Sequence, residues 1–226
     1  MPDRSPLHAR HRRFRRRRRR AADDAMTDPM SGGATFDARR RAAVFLDRDG
    51  TLIEDVGYLD ALSRIALFPW TIDAIRALNR AGLPVVVVTN QSGVARKYFA
   101  EAFVQETHRA LDAQLAAGGA RVDAYYYCPH HPDGKLPEYA VACDCRKPRP
   151  GLIDRAARDL DLDPARSFVV GDKWGDVGLA QAVGARALLV RTGTGAIAEQ
   201  HPREGVKADA VVDNLAAAAS WILKRC

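Results

Sequence analysis

Short apolar runs alternate with segments of helical periodicity along residues 42–226. One run, four consecutive valines at 85–88, has no polar alternation, which is typical of a central parallel strand because helices cover both of its faces. This alternation predicts an α/β fold, a Rossmann-like parallel sheet flanked by helices on both faces. The predicted strands are 43–47, 84–89, 123–127, 167–171, 186–190 and 210–212, and the predicted helices are 70–80, 100–117, 150–160, 174–183 and 214–224.

The first 41 residues differ in composition from the rest of the chain. They carry 13 Lys and Arg against 5 Asp and Glu, a net charge of +8, whereas residues 42–226 carry 22 and 23, a net charge of −1. Residues 15–20 are an unbroken run of arginines, and few apolar residues surround them. Such a segment cannot bury enough surface to offset the entropy lost on ordering. We therefore predict a disordered Arg-rich extension over 1–41, followed by one domain over 42–226.

The charge distribution also bears on partners. The formal net charge of +7 would suit a nucleic-acid partner, and an Arg tract combined with a small metal-binding loop is an alternative of that kind. The excess charge lies in the extension, however, so no nucleic acid is expected. The arginines are not followed by the apolar segment of an export signal, and no stretch approaches a membrane-spanning length. These features predict a cytoplasmic monomer without a membrane partner.

Two carboxylates follow the first predicted strand. Asp47 and Asp49 lie in the segment FLDRDGTL at 45–52, and the turn at Gly50 exposes both of them to one small volume. Two like charges at this separation need a cation, and Mg²⁺ held by carboxylate oxygens would bring a phosphate with it. One aspartate could then attack phosphorus while the other moves protons. The alternative is a strand that ends in an ordinary polar turn.

A second polar segment, TNQSG at 89–93, follows the valine-rich strand. Thr89 and Ser92 offer hydroxyls, and Asn90 and Gln91 offer amides, so the turn can donate several hydrogen bonds to phosphate oxygens. Taken alone, it is also compatible with a polar turn that has no ligand.

A third acidic position, Asp172, ends the strand predicted at 167–171. A carboxylate from this strand would complete the ligands of a magnesium ion bound by Asp47, although Asp172 could instead cap the following helix. Asp176, four residues further on, is a candidate for orienting a ligand or Lys173.

Cysteines and a histidine cluster in the long segment 128–149, which has neither helical nor strand periodicity. Cys128 and His130 precede Cys143 and Cys145, and together they form a closed four-ligand set typical of structural zinc. His131 could replace His130, and free buried thiols are the alternative. Because Lys147 follows the last ligand directly, a zinc ion here would position a cation that can neutralise a phosphoryl group.

The motifs DRDGT, TNQSG, RKP and GDKxxD, in this order, resemble the haloacid dehalogenase superfamily of phosphatases. The cysteine-rich loop narrows the resemblance to the histidinol-phosphatase-like subgroup, and the similarity covers about residues 42–224. The resemblance implies a magnesium-dependent phosphoric monoester hydrolase that works through an aspartyl-phosphate. It implies a phosphorylated sugar, specifically a sugar bisphosphate, as the substrate, with histidinol phosphate or another small sugar phosphate as the alternative.

The resemblance also implies individual roles. Asp47 would be the nucleophile and Asp49 the acid that later activates water, while Thr89 and Lys147 would hold the phosphoryl group. The implied magnesium ligands are Asp47, the backbone carbonyl of Asp49 and Asp172, and the implied zinc ligands are Cys128, His130, Cys143 and Cys145. The implied substrate contacts are Asp55, Gly57, Tyr58, Asn90, Gln91, Ser92, Arg146 and Lys173.

No insertion is long enough to form the separate cap domain that some members of the superfamily carry, so a capless, open site is expected. An open site suits a substrate with a remote phosphate, because binding energy there can orient the reacting group. On charge alone, Arg96 and Lys97 are candidate anchors for that phosphate. Trp174 and Gly175 depart from the superfamily pattern, and a bulky ring at 174 would narrow the site.

Overall fold

Strands and helices alternate through the part of the chain that the computed structural model describes, residues 40–226. Within these residues there are six strands, β1 (Val44–Leu46), β2 (Val85–Asn90), β3 (Ala124–Cys128), β4 (Phe168–Gly171), β5 (Arg186–Val190) and β6 (Ala210–Val212). The same residues form six α-helices, α1 (Thr71–Arg80), α2 (Glu101–Ala117), α3 (Gly151–Asp159), α4 (Trp174–Val183), α5 (Gly195–Gln200) and α6 (Leu215–Leu223). The predicted extension over 1–41 lies almost entirely outside the described residues.

The six strands form one parallel sheet in the order β3-β2-β1-β4-β5-β6. β1 lies in the middle, where Val44 pairs with Val85 of β2 on one side and Phe168 of β4 on the other. The strand order reverses direction at this point, and ligands of open α/β sheets bind in the crevice at the carboxyl ends of such strands. The predicted fold class is confirmed.

Side chains of each strand alternate between two apolar layers. Val44 and Leu46 join a cluster that includes residues of α1, α2 and α6, whereas Phe45 joins a second cluster with residues of α3 and α4. Both clusters consist of buried and mostly aliphatic side chains, so the sheet is covered on both faces, and this explains why its central strands show no polar alternation.

The predicted boundaries of the other elements agree with the structure to within one residue, but α5 was not predicted. This helix has six residues and buries only Gly195, so it carries no apolar stripe that periodicity could reveal. Two short 3-10 helices, Leu62–Arg64 and Pro164–Arg166, were also missed for lack of any buried residue. Among residues 40–226, no helix has the length and apolarity needed to cross a bilayer.

The two longest connections, 47–70 and 129–150, both leave the carboxyl edge of the sheet. The first contains one 3-10 helix and is tied to α1 by the Thr71 hydroxyl, which donates to the carbonyl of Leu52 at 2.8 Å. In the described part of the chain neither connection forms a second folded layer over this edge, which accords with the capless fold that the sequence predicts.

Candidate active site

Three carboxylates and one lysine meet at the carboxyl edge of the sheet, and we call Asp47, Lys147, Asp172 and Asp176 the carboxylate–lysine cluster. Lys147 Nζ lies 2.8 Å from Asp47 Oδ1 and 2.6 Å from Asp176 Oδ1, and it donates to the carbonyl of Val88 at 2.9 Å. Asp47, Asp172 and Asp176 each place one carboxylate oxygen within 4.8 Å of the others. All four side chains are buried, so their charges interact with little screening by water.

This burial and pairing change the protonation of the cluster. Burial alone would raise the pKa of Asp47, but the charges of Lys147 and Lys173 and the N–H of Arg48 outweigh it and lower that pKa. Burial would likewise lower the pKa of Lys147, but Asp176 and Asp47 raise it. Asp176 differs because burial outweighs its ion pair with Lys147 and raises its pKa to about 7. Asp47 therefore stays ionised at neutral pH beside a permanent cation.

Asp172 presents an oxygen suited to a metal ion. Its Oδ2 accepts hydrogen bonds from the N–H and the hydroxyl of Thr194, at 2.8 and 2.9 Å. Its Oδ1 is buried and has no hydrogen-bond partner among residues 40–226. Burial and the charge of Asp47 raise the pKa of Asp172. A hard divalent cation would satisfy the free oxygen and relieve the repulsion, so the donor set fits magnesium.

Asp176 contacts two lysine residues, one through each of its oxygens. Besides the contact with Lys147, its Oδ2 accepts the backbone N–H of Lys173 at 3.1 Å. The sequence suggested a supporting role toward Lys173 or a ligand, and the structure places Asp176 against Lys147 as well.

The side chain of Asp49 lies in a separate, partly buried hydrogen-bond network. It accepts hydrogen bonds from Arg48 Nε at 3.2 Å and Nη2 at 3.1 Å, and from Gln91 Nε2 at 2.9 Å. Arg48 Nη2 also donates to Gln91 Oε1, and Gln91 Nε2 lies 2.9 Å from the hydroxyl of Thr89. The network leads from the second aspartate of DRDGT to the TNQSG turn.

A cavity of about 360 Å³ opens beside Asp49. It is lined by all eight residues predicted to contact substrate, namely Asp55, Gly57, Tyr58, Asn90, Gln91, Ser92, Arg146 and Lys173. Arg48, Leu59, Gly93 and Phe99 complete the lining with Asp49. Lys173 Nζ pairs with Asp55 Oδ2 at 3.1 Å, which joins the first long connection to the residue that precedes α4. The two long connections, 47–70 through Asp55 and 129–150 through Arg146, thus both contribute to the lining of this cavity.

Asn90 has a structural task in addition to lining the cavity. Its Oδ1 accepts the backbone N–H of Lys147 at 3.0 Å, and its Nδ2 donates to the carbonyl of Lys147 at 3.3 Å. The peptide bond between Lys147 and Pro148 is cis. The amide of Asn90 therefore fixes the backbone from which the lysine reaches Asp47.

Three predicted positions lie elsewhere. Arg96 and Lys97 are not among the described residues that line the cavity. Arg96 lies instead beside His131, with its Nη2 3.1 Å from Nε2 of that ring. The ring of Trp174 is also outside this lining, because its Nε1 donates to the carbonyls of Ala198 and His201, each at 2.9 Å. Trp174 therefore does not narrow the cavity.

The four predicted zinc ligands lie together, and we call Cys128, His130, Cys143 and Cys145 the cysteine–histidine cluster. The Sγ of Cys143 lies 3.5 Å from that of Cys128 and 3.2 Å from that of Cys145, and His130 Nδ1 lies 3.3 Å from Cys145 Sγ. Ligands at about 2.3 Å from a tetrahedral zinc ion lie about 3.8 Å from one another, so these residues could hold zinc. His131 is not in the cluster, since its Nδ1 accepts the N–H of Asp133 at 3.1 Å.

The thiols of this cluster differ in acidity. The pKa of Cys145 is lowered to about 5, because its hydrogen bonds with Cys128, Cys143 and His130 outweigh the effect of burial. The pKa of Cys128 is raised by its hydrogen bond with Cys145 and by burial. Contacts also join the cluster to the active site, because Arg146 Nη1 donates to the carbonyl of His130 at 3.3 Å. The loop thereby holds the residue that precedes Lys147.

Comparison with known proteins agrees with this geometry. A family model described as HAD-hydrolase-like matches residues 144–218. The D-glycero-β-D-manno-heptose-1,7-bisphosphate 7-phosphatase of Salmonella typhi is 43% identical over 190 residues, covering 83% of this chain and 98% of that protein. The Escherichia coli K12 protein of the same name is 45% identical over 158 residues, covering 69% of this chain and 82% of that protein. The chain belongs to this heptose bisphosphate phosphatase family.

Solved structures extend the agreement to the fold. The D,D-heptose 1,7-bisphosphate phosphatase of B. bronchiseptica, complexed with magnesium and phosphate, has a TM-score of 0.73 and 34% identity, covering 82% of this chain and 99% of that chain. The Burkholderia thailandensis protein of that name has a TM-score of 0.61 and 29% identity, covering 82% and 100%. The chain is thus a HAD-like phosphoric monoester hydrolase. The motif resemblance, most specific for D-glycero-D-manno-heptose 1,7-bisphosphate 7-phosphatase, is confirmed.

Two buried polar residues near the candidate active site, Arg48 and His108, were not identified from the sequence. Arg48 is 2% exposed, and its only signal is its place between the two aspartates of DRDGT. His108 of α2 stacks on Tyr125 with ring centroids 4.6 Å apart. Burial and, to a lesser extent, the charge of Arg48 lower the pKa of His108 to about 3, so its ring is neutral beneath the active site at neutral pH.

Proposed function

We propose that the protein removes the 7-phosphate of D-glycero-D-manno-heptose 1,7-bisphosphate by magnesium-dependent hydrolysis through an aspartyl-phosphate on Asp47. The observation that carries the proposal is the buried ion pair of Asp47 and Lys147, whose chain neighbours Arg48 and Arg146 line a cavity together with the expected substrate contacts. The names of the relatives support the choice of sugar, and the magnesium and phosphate in the B. bronchiseptica structure support the cofactor.

In the first step, Asp47 attacks the phosphorus atom. Lys147 and the N–H of Arg48 both contact Oδ1, so within the described residues Oδ2 is the oxygen left free for the attack. Lys147 also neutralises the phosphoryl group, because its charge is fixed in place before the substrate arrives. Magnesium held by Asp47, the Asp49 carbonyl and Asp172 would supply further neutralisation of the phosphoryl oxygens.

Asp49 moves the protons in both steps. As the bond between phosphorus and the sugar oxygen breaks, Asp49 gives its proton to that oxygen and the dephosphorylated sugar leaves. Asp49 then takes a proton from water, which attacks the aspartyl-phosphate and releases inorganic phosphate and free Asp47. Asp49 lines the cavity, so its carboxylate is on the side from which the sugar and the water approach.

The cavity supplies the contacts that select the substrate. Arg146 and Lys173 contribute positive charge, and Asp55 and Ser92 contribute acceptors and a donor for sugar hydroxyls. The cysteine–histidine cluster, with zinc bound, stabilises the loop that carries Arg146. We propose on the same grounds that the enzyme acts in heptose biosynthesis, and that it is a cytoplasmic monomer whose partner is a phosphorylated sugar.

Steady-state kinetics on a panel of phosphate esters test the proposal. The panel contains both anomers of the heptose 1,7-bisphosphate and histidinol phosphate, assayed with and without Mg²⁺. We expect the highest kcat/KM on a heptose bisphosphate, at least 100-fold above histidinol phosphate, with the 1-phosphate retained in the product by ³¹P NMR. A preference for histidinol phosphate, or loss of the 1-phosphate instead, would contradict the proposal.

A further inference from the structure

We infer that Arg48 is a positioning residue that acts through Asp49, holding its carboxylate toward the substrate cavity for proton transfer. The inference rests on the proposed function, in which Asp49 carries the proton. It assigns a role to the residue between the two aspartates, whose side chain pairs with Asp49 and Gln91.

The contacts of the guanidinium are specific to Asp49. Nε and Nη2 lie 3.0–3.2 Å from the two oxygens of Asp49, so each of the two nitrogens is shared between both carboxylate oxygens. The same Nη2 donates to Gln91 Oε1 at 2.9 Å, and Gln91 returns a hydrogen bond to Asp49. Asp49 is thus gripped by two neighbouring donors, and within residues 40–226 it is the one acid paired with Arg48.

The burial of Arg48 makes this grip rigid. Both residues line the cavity, but the Arg48 side chain is 2% exposed whereas that of Asp49 is 19% exposed, so the aspartate is the more accessible of the two. On its inner side the guanidinium leaves Nη1 without a partner among the described residues, and the nearby His108 is neutral. An incompletely satisfied buried charge costs stability, and functional sites are where such costs persist.

A geometric consequence follows for proton transfer. An acid must lie within about 3 Å of the oxygen that it protonates, and an unsupported aspartate samples several rotamers. A lysine at position 48 has a single nitrogen and cannot reproduce the four contacts that two guanidinium nitrogens make with the two carboxylate oxygens. The role therefore requires arginine, and the loss of Arg48 should lower the chemical rate without weakening substrate binding.

A double-mutant cycle with Arg48→Met and Asp49→Asn tests the inference. We expect Arg48→Met to lower kcat about 100-fold with KM changed less than threefold, and Arg48→Lys to lower kcat about 10-fold. If Arg48 acts through Asp49, the double variant should be no slower than Asp49→Asn alone. A double variant slower by the product of the two single effects would overturn the inference.

The controls separate this inference from the function on which it rests. Arg76→Lys, an Arg to Lys change on α1 away from the site, should leave kcat unchanged, and all variants are compared by thermal unfolding and zinc content. If Arg48→Met fails to fold, the cycle is run with Arg48→Lys. Full activity of Asp49→Asn would refute the proposed mechanism, whereas an impaired Asp49→Asn beside a fully active Arg48→Lys and Arg48→Met would refute the role of Arg48 alone. The cycle is repeated on p-nitrophenyl phosphate, so it is readable even if the heptose is not the substrate.

Discussion

The carboxylate–lysine cluster and the cysteine–histidine cluster are built in opposite ways. The first is placed by regular structure, since Asp47 follows β1 and Asp172 follows β4, and one oxygen of Asp172 has no partner among residues 40–226 and can bind an ion. The second comes mostly from the loop after β3, and its four ligand atoms face one another. In the first cluster, acidic and basic side chains are arranged to interact with a substrate. In the second cluster, all four ligand atoms would coordinate the bound ion, and none would remain for a substrate.

The difference teaches where each kind of residue must be supported. A catalytic group is useful only if its neighbours hold it without occupying the atom that reacts, and Lys147 contacts only Oδ1 of Asp47. A structural ligand stabilises the fold only through its bond to the metal, so it needs no further partner. Changes in the first cluster should therefore affect turnover more than folding, and changes in the second should affect folding first.

The largest expected effect is that of Asp47→Asn. The amide cannot attack phosphorus, so we expect kcat to fall by more than 10³-fold, as measured by phosphate release under saturating substrate. The melting temperature and the zinc content should stay near those of the wild type, because the substitution also removes the repulsion between Asp47 and Asp172. Residual turnover above one per cent would argue against an aspartyl-phosphate on this residue.

The next largest effect is expected on removing a zinc ligand. With Cys145→Ser, one ligand of the cluster is lost, and we expect a loss of bound zinc and of several kcal/mol of stability, on the order of 3 or more. Calorimetric unfolding with metal analysis makes the measurement. Cys226→Ser is the matched control, since this exposed cysteine lies outside the cluster and its loss should change neither quantity. Equal stability of the two variants would show that the loop does not depend on the metal.

Asn90 lies between the two clusters and offers a finer test. Asn90→Ala removes both hydrogen bonds to the backbone of Lys147, and we expect a cost of about 2 kcal/mol in stability together with about 10-fold lower kcat/KM. Asn79 makes the same pair of bonds to the backbone of Arg121, at 3.0 and 2.8 Å, away from the site. Asn79→Ala should therefore lose stability alone. An equal loss of activity in both variants would show that the contact of Asn90 with Lys147 has no specific effect on catalysis.

Much of this arrangement could be predicted from the sequence because it depends on strand ends. Asp47 and Asp172 each follow a buried parallel strand directly, and Thr89 is the next-to-last residue of another, so the fold brings them to one edge whatever the loops do. The spacing of the cysteines likewise confined the zinc ligands to one loop.

The missed contacts are those that join distant segments through side chains. Arg48 and Gln91 are 43 positions apart, and Asn90 and Lys147 are 57 apart, so no local pattern announces either pair. The sequence indicated Asn90 as a polar turn residue that could reach the substrate, and its grip on the backbone of Lys147 became visible only in three dimensions. Supporting contacts of this kind depend on how the loops close, which periodicity does not describe.

The smallest expected effect concerns His108, which belongs to neither cluster. Its pKa is about 3 in the folded protein against an ordinary value of 6.5, so between these values the unfolded chain binds more protons and stability falls as the pH is lowered.

From pH 7 to pH 5.5, His108 should contribute a loss of roughly 1 kcal/mol in the free energy of unfolding. His108→Gln removes this contribution, and the comparison of the two proteins by urea denaturation at both pH values cancels the titration of the clusters, which both proteins share. If the two proteins lost equal stability between pH 7 and pH 5.5, the acid sensitivity of the fold would come from the clusters themselves. If the wild type loses more, part of that sensitivity belongs to the apolar layer beneath the active site, and it is separable from both the chemistry and the zinc.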